Sequence, residues 1–440
     1  MKRSSSIWVT FLALGSCAAT SGATERPAAW LFRGGTIVTV SGEVIRDGDV
    51  AVAQGKIVAV GRGIDTPKSA RVVDLRGRFV TPGLIDTHSH IGVYSFPGVA
   101  VNSDGNEMTA PVTAEVRAAD AINLDDPAIP RAWRGGVTTV QVLPGSGNCI
   151  GGQSAVVKLK RGTLAEMLVP GAPRGLKMAM GENPKRTYGG RGQMPMTRMG
   201  SAAVMREAFA KAAEYRKKWD DYNIRLAAHV LDRRLPVLNQ KEQKATAAIA
   251  APDRDLRLEV LADVLRGKVR PHVHGYRVDD ILTLFRIADE FGFKVASLQH
   301  ALSAWKLAPE IARRGVGVAT FSDEWGYKHE MADSRLDAPA ILHKAGVRVS
   351  LQTDHPVIEQ RFLVHEVAKS VRAGLPEAEG FRAVTLNPAW MLGIDTRVGS
   401  LEAGKDADLV VWSGHPMRIA SRVDFTMIDG EVVYERRISK

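Results

Sequence analysis

Eight short apolar runs separated by helical stretches constrain this sequence more than any other feature in it. They lie at Leu84 to Thr87, Val137 to Leu143, Ala155 to Leu159, Leu176 to Met180, Val269 to Val273, Lys294 to Leu298, Gly317 to Phe321 and Val347 to Thr353. Near-continuous apolar strands alternating with helices belong to a parallel sheet covered on both faces. Eight of them predict closure into a (β/α)8 TIM-type barrel rather than an open sheet. Thr197 to Leu265, charged and helix-rich, reads as a long insertion after the fourth strand. The 440 residues exceed a barrel of roughly 250, and both ends of the chain are β in character. Thr36 to Val40, Val50 to Val52, Lys56 to Val60, Asp408 to Trp412 and Glu431 to Tyr434 are strand-like, with Asp429-Gly430 as a hairpin turn. The expected layout is a signal segment at 1–23, the first part of a composite β-sandwich at 28–81, the barrel at 82–385, and the rest of the sandwich at 386–440.

Composition bounds the partners. The chain is 45% hydrophobic and 24% charged, which excludes wholesale disorder. Its formal charge of +11 comes from 59 Lys+Arg mixed along the chain with 48 Asp+Glu. A nucleic-acid footprint needs that charge gathered on one face, so no nucleic-acid partner is expected. At the N-terminus, Lys2 and Arg3 precede an apolar run from Ile7 to Leu14, too short to span a membrane. Leu14-Gly15-Ser16-Cys17-Ala18 resembles a bacterial lipobox, and cleavage after Ser21-Gly22-Ala23 is the alternative. The expectation is export to the periplasm with membrane attachment through a lipid on Cys17. The only other cysteine, Cys149, has no nearby histidine and reads as a buried or loop residue.

The chemistry is carried by Pro82-Gly83-Leu84-Ile85-Asp86-Thr87-His88-Ser89-His90, a strand ending in His-x-His. Residues two apart in a strand share a face, so both imidazoles point into the barrel mouth, and paired neutral imidazoles suit a divalent transition metal. Further ligand-type residues end later strands: Glu182, His272 and His274, His300, and Asp354. Barrel enzymes work at that C-terminal face.

In order and placement, His88-x-His90, a strand-four carboxylate, His274, His300 and Asp354 resemble the amidohydrolase superfamily. Asn387-Pro388-Ala389 and Gly399-Ser400-Leu401-Glu402-Ala403-Gly404-Lys405-Asp406-Ala407-Asp408 resemble its exit from barrel to sandwich. Gly181 to Arg186 and His274 to Ile281 resemble an imidazolonepropionase-like bacterial branch. The resemblance implies one metal on His88, His90 and Asp354, a second on His274 and His300, and a bridging carboxylate from strand four. Many members use a carbamylated lysine there; here Glu182 takes the strand end and Lys185 is the alternative. One or two divalent metals per chain, Zn²⁺ or another transition metal, are implied. The metal lowers the pKa of its water towards ~7, and Asp354 is the catalytic base.

Other residues read more blandly. His272 is the second choice for the fifth-strand ligand. His355 points to the opposite face from Asp354. His229, His343, His365 and His415 read as structural. Arg186, Tyr188, Tyr327 and His329, with Arg191 and Trp325, fall on loops at the mouth and are candidates for substrate binding. The expected function is hydrolysis of a C–N bond in a small amide, cyclic amide or dipeptide-like substrate. A deaminase or imidazolonepropionase is the first alternative, and a non-catalytic surface binding protein on the same scaffold the second. Homo-oligomerisation is left open.

Overall fold

The computed structural model describes residues 29–234, 249–324 and 326–436. Cys17, the alternative cleavage site after Ala23, and Trp325 lie outside the described residues.

The chain opens with β1 (Ala29–Val38), β2 (Val44–Ala53), β3 (Lys56–Gly61), β4 (Ala70–Asp74) and β5 (Phe79–Pro82). The barrel strands follow: β6 (Leu84–Ser89), β7 (Val137–Val142), β8 (Ile150–Lys158), β9 (Arg174–Ala179), β10 (Val269–His274), β11 (Ser297–Gln299), β12 (Gly317–Thr320) and β13 (Val349–Leu351). Between β6 and β9 lie α1 (Ala128–Trp133) and α2 (Leu164–Met167). Between β9 and β10 come α3 (Glu182–Gly189), α4 (Arg198–Arg234) and α5 (Leu256–Leu265). Then come α6 (Val278–Phe291), α7 (Ala308–Arg314), α8 (Ala338–Lys344), α9 (Leu363–Arg372), α10 (Glu377–Arg382) and α11 (Leu386–Leu392). The last strands are β14 (Leu409–Trp412), β15 (Val423–Ile428) and β16 (Glu431–Glu435).

Among the described residues, β6 to β13 form one eight-stranded sheet in chain order. Its ends approach through a parallel bridge between Ser89 and His355, and His90 N donates to His355 O at 2.9 Å. The barrel is therefore nearly closed, and its seam lies beside the His-x-His pair. One strand departs from the all-parallel expectation: β8 runs antiparallel to both β7 and β9. Residues 143–149 alone connect β7 to β8. A parallel return needs a crossover of about a dozen residues or more, so this short link can only make a hairpin. The reversal brings the start of β8, with Asn148 and Cys149, to the end of the barrel that carries the histidines.

The helices bury the outward faces of the strands. On α6, Ile281, Leu284, Phe285 and Ala288 recur at helical spacing and are buried, and Gly292 ends the helix in the left-handed conformation (φ 72°). Leu176, Met178 and Met180 face this helical layer, packing with Met205 and Phe209 of α4. By alternation, Lys177 faces the barrel interior.

The two chain ends share a second sheet, ordered β16-β15-β14-β5-β1-β2-β3 with β4 beside β1. β14 pairs antiparallel with β5, Leu409 opposite Pro82, so β5 leads directly from this sheet into β6. Trp30 and Phe32 meet Phe425 edge-on, at 5.5 and 5.4 Å between ring centres. Lys158, at the end of β8, ties the barrel to this sheet. Its buried Nζ lies 2.8 Å from Asp406 Oδ2 and 3.1 Å from Asp408 Oδ1, and it also bonds Asp429.

Candidate metal centre

His88, His90 and Asp354 converge at the barrel mouth, their ligand atoms all within 4.8 Å of one another. Asp354 Oδ1 lies 3.0 Å from His90 Nε2 and 3.4 Å from His88 Nε2. The opposite ring nitrogens settle the tautomers. His90 Nδ1 is 2.7 Å from the carbonyl of Leu143, which can only accept, so that nitrogen carries the proton. His88 Nδ1 donates to Gln299 Oε1 at 2.9 Å, and Gln299 is itself fixed by donating to Ser297 Oγ at 2.7 Å. Both Nε2 lone pairs therefore face a carboxylate oxygen that has no hydrogen-bond partner. Burial holds the His88 pKa well below its ordinary value, so a second proton does not relieve the contact. Three lone-pair groups aimed at one point fit a divalent cation.

His274 and His300 complete the ring. Both are about 1% exposed, and burial first of all keeps their pKa values well below normal, which leaves them neutral. The His300 ring centre is 4.1 Å from that of His88 and 4.8 Å from that of His274. His274 Nδ1 is buried without a hydrogen-bond partner, a second orphaned ligand atom. His300 (φ 57°) and Asp354 (φ 48°) both adopt the left-handed backbone conformation, a strain that persists where surrounding structure enforces it at working sites.

Asp86 locks the barrel seam beneath this group. Its carboxylate accepts from Thr353 Oγ1 at 2.5 Å, from Gln360 Nε2 at 3.0 Å and from His88 N at 3.0 Å. These bonds join the first and last strands and fix the segments carrying His88 and Asp354.

Glu182 does not fill the strand-four position. The chain turns at Gly181 (φ 85°) and enters α3, on which Glu182 and Lys185 lie, and Glu182 is not in the His88, His90 and Asp354 group. The Glu182 carboxylate faces Lys328 Nζ at 3.7 Å instead. The residue inside the ring is Lys177, fully buried in mid-strand, with Nζ 3.1 Å from His88 Nε2. Burial lowers its pKa to about 7. The signal was present in the sequence: one lysine in the apolar run Leu176-Lys177-Met178-Ala179-Met180, on the face opposite the methionines. Its long side chain reaches the mouth from a position below the strand end.

His272 sits one layer deeper than His274, pairing in register with Lys177, and its Nδ1 contacts Ser297 Oγ at 2.8 Å. His355 is buried behind Asp354. His343 lies near Glu379, His365 stacks on Phe362 and His415 meets Glu377, all remote from the centre. Cys149 is buried, and burial pushes its thiol up to about 12.

Of the substrate-binding candidates, Tyr188 is a packing residue: fully buried, it donates to Ala110 O at 2.6 Å and accepts from Asn148 Nδ2 at 3.0 Å. Arg186 is exposed on α3, Arg191 donates to Met108 O, and Tyr327 is 61% exposed. His329 lines a side cavity with Arg277, Lys306 and Asp333. The sequence reading did not single out Tyr276, Asn183 or Lys328 at the mouth. The Tyr276 ring lies 4.7 Å from that of His274, and Asn183 Nδ2 lies 3.5 Å from His274 Nε2.

The sequence profile of the amidohydrolase family matches residues 201–433, just over half of the chain. The chain belongs to the amidohydrolase family. It is a metal-dependent hydrolase of carbon–nitrogen bonds. It is similar to a crystal structure of an amidohydrolase from Thermotoga maritima MSB8, with 42% identity and a TM-score of 0.82 over 92% of this chain and 100% of that one. It is 34% identical over 409 residues to amidohydrolase tasK of Hapsidospora irregularis. That match takes in 88% of this chain but spans only 40% of that relative's length. Similarity to an imidazolonepropionase of Sphingopyxis alaskensis is 24% over 422 residues, 88% of this chain and 93% of that one.

Proposed function

We propose that this family member hydrolyses the amide bond of a small substrate: a linear amide, a cyclic amide or a dipeptide-like compound. The observation that carries the reading is the convergence of His88, His90 and Asp354, whose Oδ1 has no hydrogen-bond partner, beside buried Lys177. His88, His90 and Asp354 would hold one divalent metal; His274 and His300, with Lys177 as its carbamate, would hold a second. Zn²⁺ suits the imidazole-rich set. The metal supplies a Lewis acid and hydroxide at neutral pH. Asp354 accepts the proton of the attacking water and delivers it to the leaving nitrogen. Gln299 and the Leu143 carbonyl hold the two ring tautomers throughout.

The likeness to imidazolonepropionases keeps a cyclic amide within the substrate set. The test is turnover of N-acyl amino acids, dipeptides and lactams by metal-loaded protein, with chelated protein as control. Metal-free protein of full activity, or loaded protein inert on every class, would sink the reading. The N-terminal segment supports export, with Cys17 as the lipid attachment point. On that reading Cys17→Ala shifts the protein out of the membrane fraction; unchanged fractionation, with cleavage mapped after Ala23, favours plain secretion.

A further inference from the structure

We propose that Lys328 recognises a carboxylate on the substrate, so that this enzyme acts on acidic amides, such as N-acyl amino acids and dipeptides with a free carboxyl terminus, in preference to neutral ones. The inference rests on the hydrolase reading above and narrows its substrate class.

Lys328 reaches into the mouth from the segment leading to the short turn at His329–Met331. Its side chain is 15% exposed. The ammonium has three donors, and one is used at hydrogen-bond distance, by Asn183 Oδ1 at 3.1 Å. Glu182 Oε1, at 3.7 Å, is beyond that distance and belongs to a half-buried side chain that can yield. The rings of Tyr276 and Tyr327 flank the ammonium, at 5.4 and 5.5 Å from their centres, and restrict water there. Burial lowers the Lys328 pKa, so the charge lacks the solvation that an anion would restore.

Position makes this charge relevant to the reaction. Asn183 spans the gap between the two groups: its amide oxygen accepts from Lys328, and its amide nitrogen is 3.5 Å from His274 Nε2. One carboxamide therefore separates the ammonium from the histidine ring. An amide substrate bound at the ring could place a carboxylate a few bonds away against Lys328.

Arg186, exposed on α3, is near enough to act on the Lys328 charge and adds to the positive field an anion would meet, while two other nearby cations are committed. Arg198 bonds both Asp280 and Glu330, and Arg191 donates to a backbone carbonyl. Glu330 also holds the segment that carries Lys328: besides Arg198, its Oε2 accepts from Glu182 N at 3.0 Å, which pins the 328–331 segment to the start of α3. A charge fixed in advance loses little entropy on binding.

The test uses metal-loaded, full-length protein. Calorimetry measures binding of N-acetylglycine, N-acetyl-leucine and N-acetyl-proline, and of their carboxamides, to wild type, Lys328→Met, Lys328→Gln and Lys328→Arg, each checked for an intact thermal transition. At least one acid should bind wild type roughly 10- to 100-fold more tightly than its amide, the worth of a charge-assisted hydrogen bond. Lys328→Met and Lys328→Gln should abolish that preference and leave amide binding within about 3-fold, and Lys328→Arg should keep part of it. Equal binding of acid and amide by wild type, a preference that survives in Lys328→Met and Lys328→Gln, or no binding by any acid overturns the proposal. An acid preference that depends on Lys328, in protein that hydrolyses no N-acyl amino acid, dipeptide or lactam, keeps Lys328 as the carboxylate-binding group and removes the amide-hydrolysis reading. Efficient hydrolysis of neutral amides without acid preference does the reverse.

Discussion

Lys177 Nζ lies 3.1 Å from His88 Nε2, inside a ring of four histidines. An ammonium there repels the cation that the ring is shaped to hold. Burial brings the lysine pKa down to about 7, so the neutral amine is accessible at physiological pH. That amine can add carbon dioxide, releasing a proton and gaining a carboxylate. Lys177→Ala should therefore lose most of its metal, while Glu182→Gln and Lys185→Ala retain it. Protein depleted of bicarbonate should regain occupancy when bicarbonate is returned, and isotope-labelled bicarbonate should give a carbamate carbon resonance absent from Lys177→Ala. Full metal content in Lys177→Ala by elemental analysis removes this role.

Asp354→Asn keeps the size of the side chain and removes the base. Asparagine also tolerates the left-handed backbone found here (φ 48°), so the fold should survive. Turnover should fall by at least ~10². Steady-state rates beside a thermal melt separate the two effects, and near-wild-type turnover would release Asp354 from proton transfer.

Gln299 accepts from His88 Nδ1 at 2.9 Å and so fixes which nitrogen faces the centre. Gln299→Leu removes that acceptor within the barrel. Metal affinity should drop by roughly 10- to 100-fold, the usual cost of losing such a supporting contact. Competition with a coloured chelator reads this directly. Unchanged affinity would mean that packing alone orients the ring.

The apolar runs made the barrel legible because each buried strand advertises itself by composition. The strand ends were legible because His88, His90, His274, His300 and Asp354 are short side chains that must sit at the rim to reach it. Lys177 escapes that logic: its length lets it act from mid-strand, whereas the residue after the strand end is Glu182. The turn at Gly181 that removes Glu182 from the ring is a backbone event with no signature in side-chain pattern. Direction of β8 was also hidden, because apolar runs look alike in either sense, and the deciding quantity was the short 143–149 link. Lys328 and Asn183 meet across a large sequence separation, a pairing that no local pattern encodes.

The junction between barrel and terminal sheet rests on Lys158 against Asp406, Asp408 and Asp429, with Lys56 and Arg397 also on Asp406. Burial opposes charge on Lys158, but the three aspartates outweigh it and raise its pKa above the usual range, so it stays charged at any pH near neutrality. Burial likewise opposes ionisation of Asp406 and Asp429, yet the neighbouring lysines hold both pKa values below normal. Carboxyls depressed in the folded state stabilise it above their unfolded pKa of about 3.9 and lose that contribution as pH falls through the folded values. Acidification below about pH 4 should therefore weaken the wild-type junction. Lys158→Met leaves buried Asp408 without its cation, while Asp406 keeps Lys56 and Arg397 and Asp429 keeps Lys160, at a cost of roughly 3–5 kcal/mol near neutrality. Burial already raises the Asp408 pKa, and without Lys158 it rises further, so protonation of Asp408 relieves the variant while protonation of Asp406 and Asp429 harms the wild type. The difference in urea midpoint between the two should be large near pH 7 and should shrink on acidification towards pH 4. A difference that stays constant or grows with acidity would show that Lys158 contributes packing rather than charge.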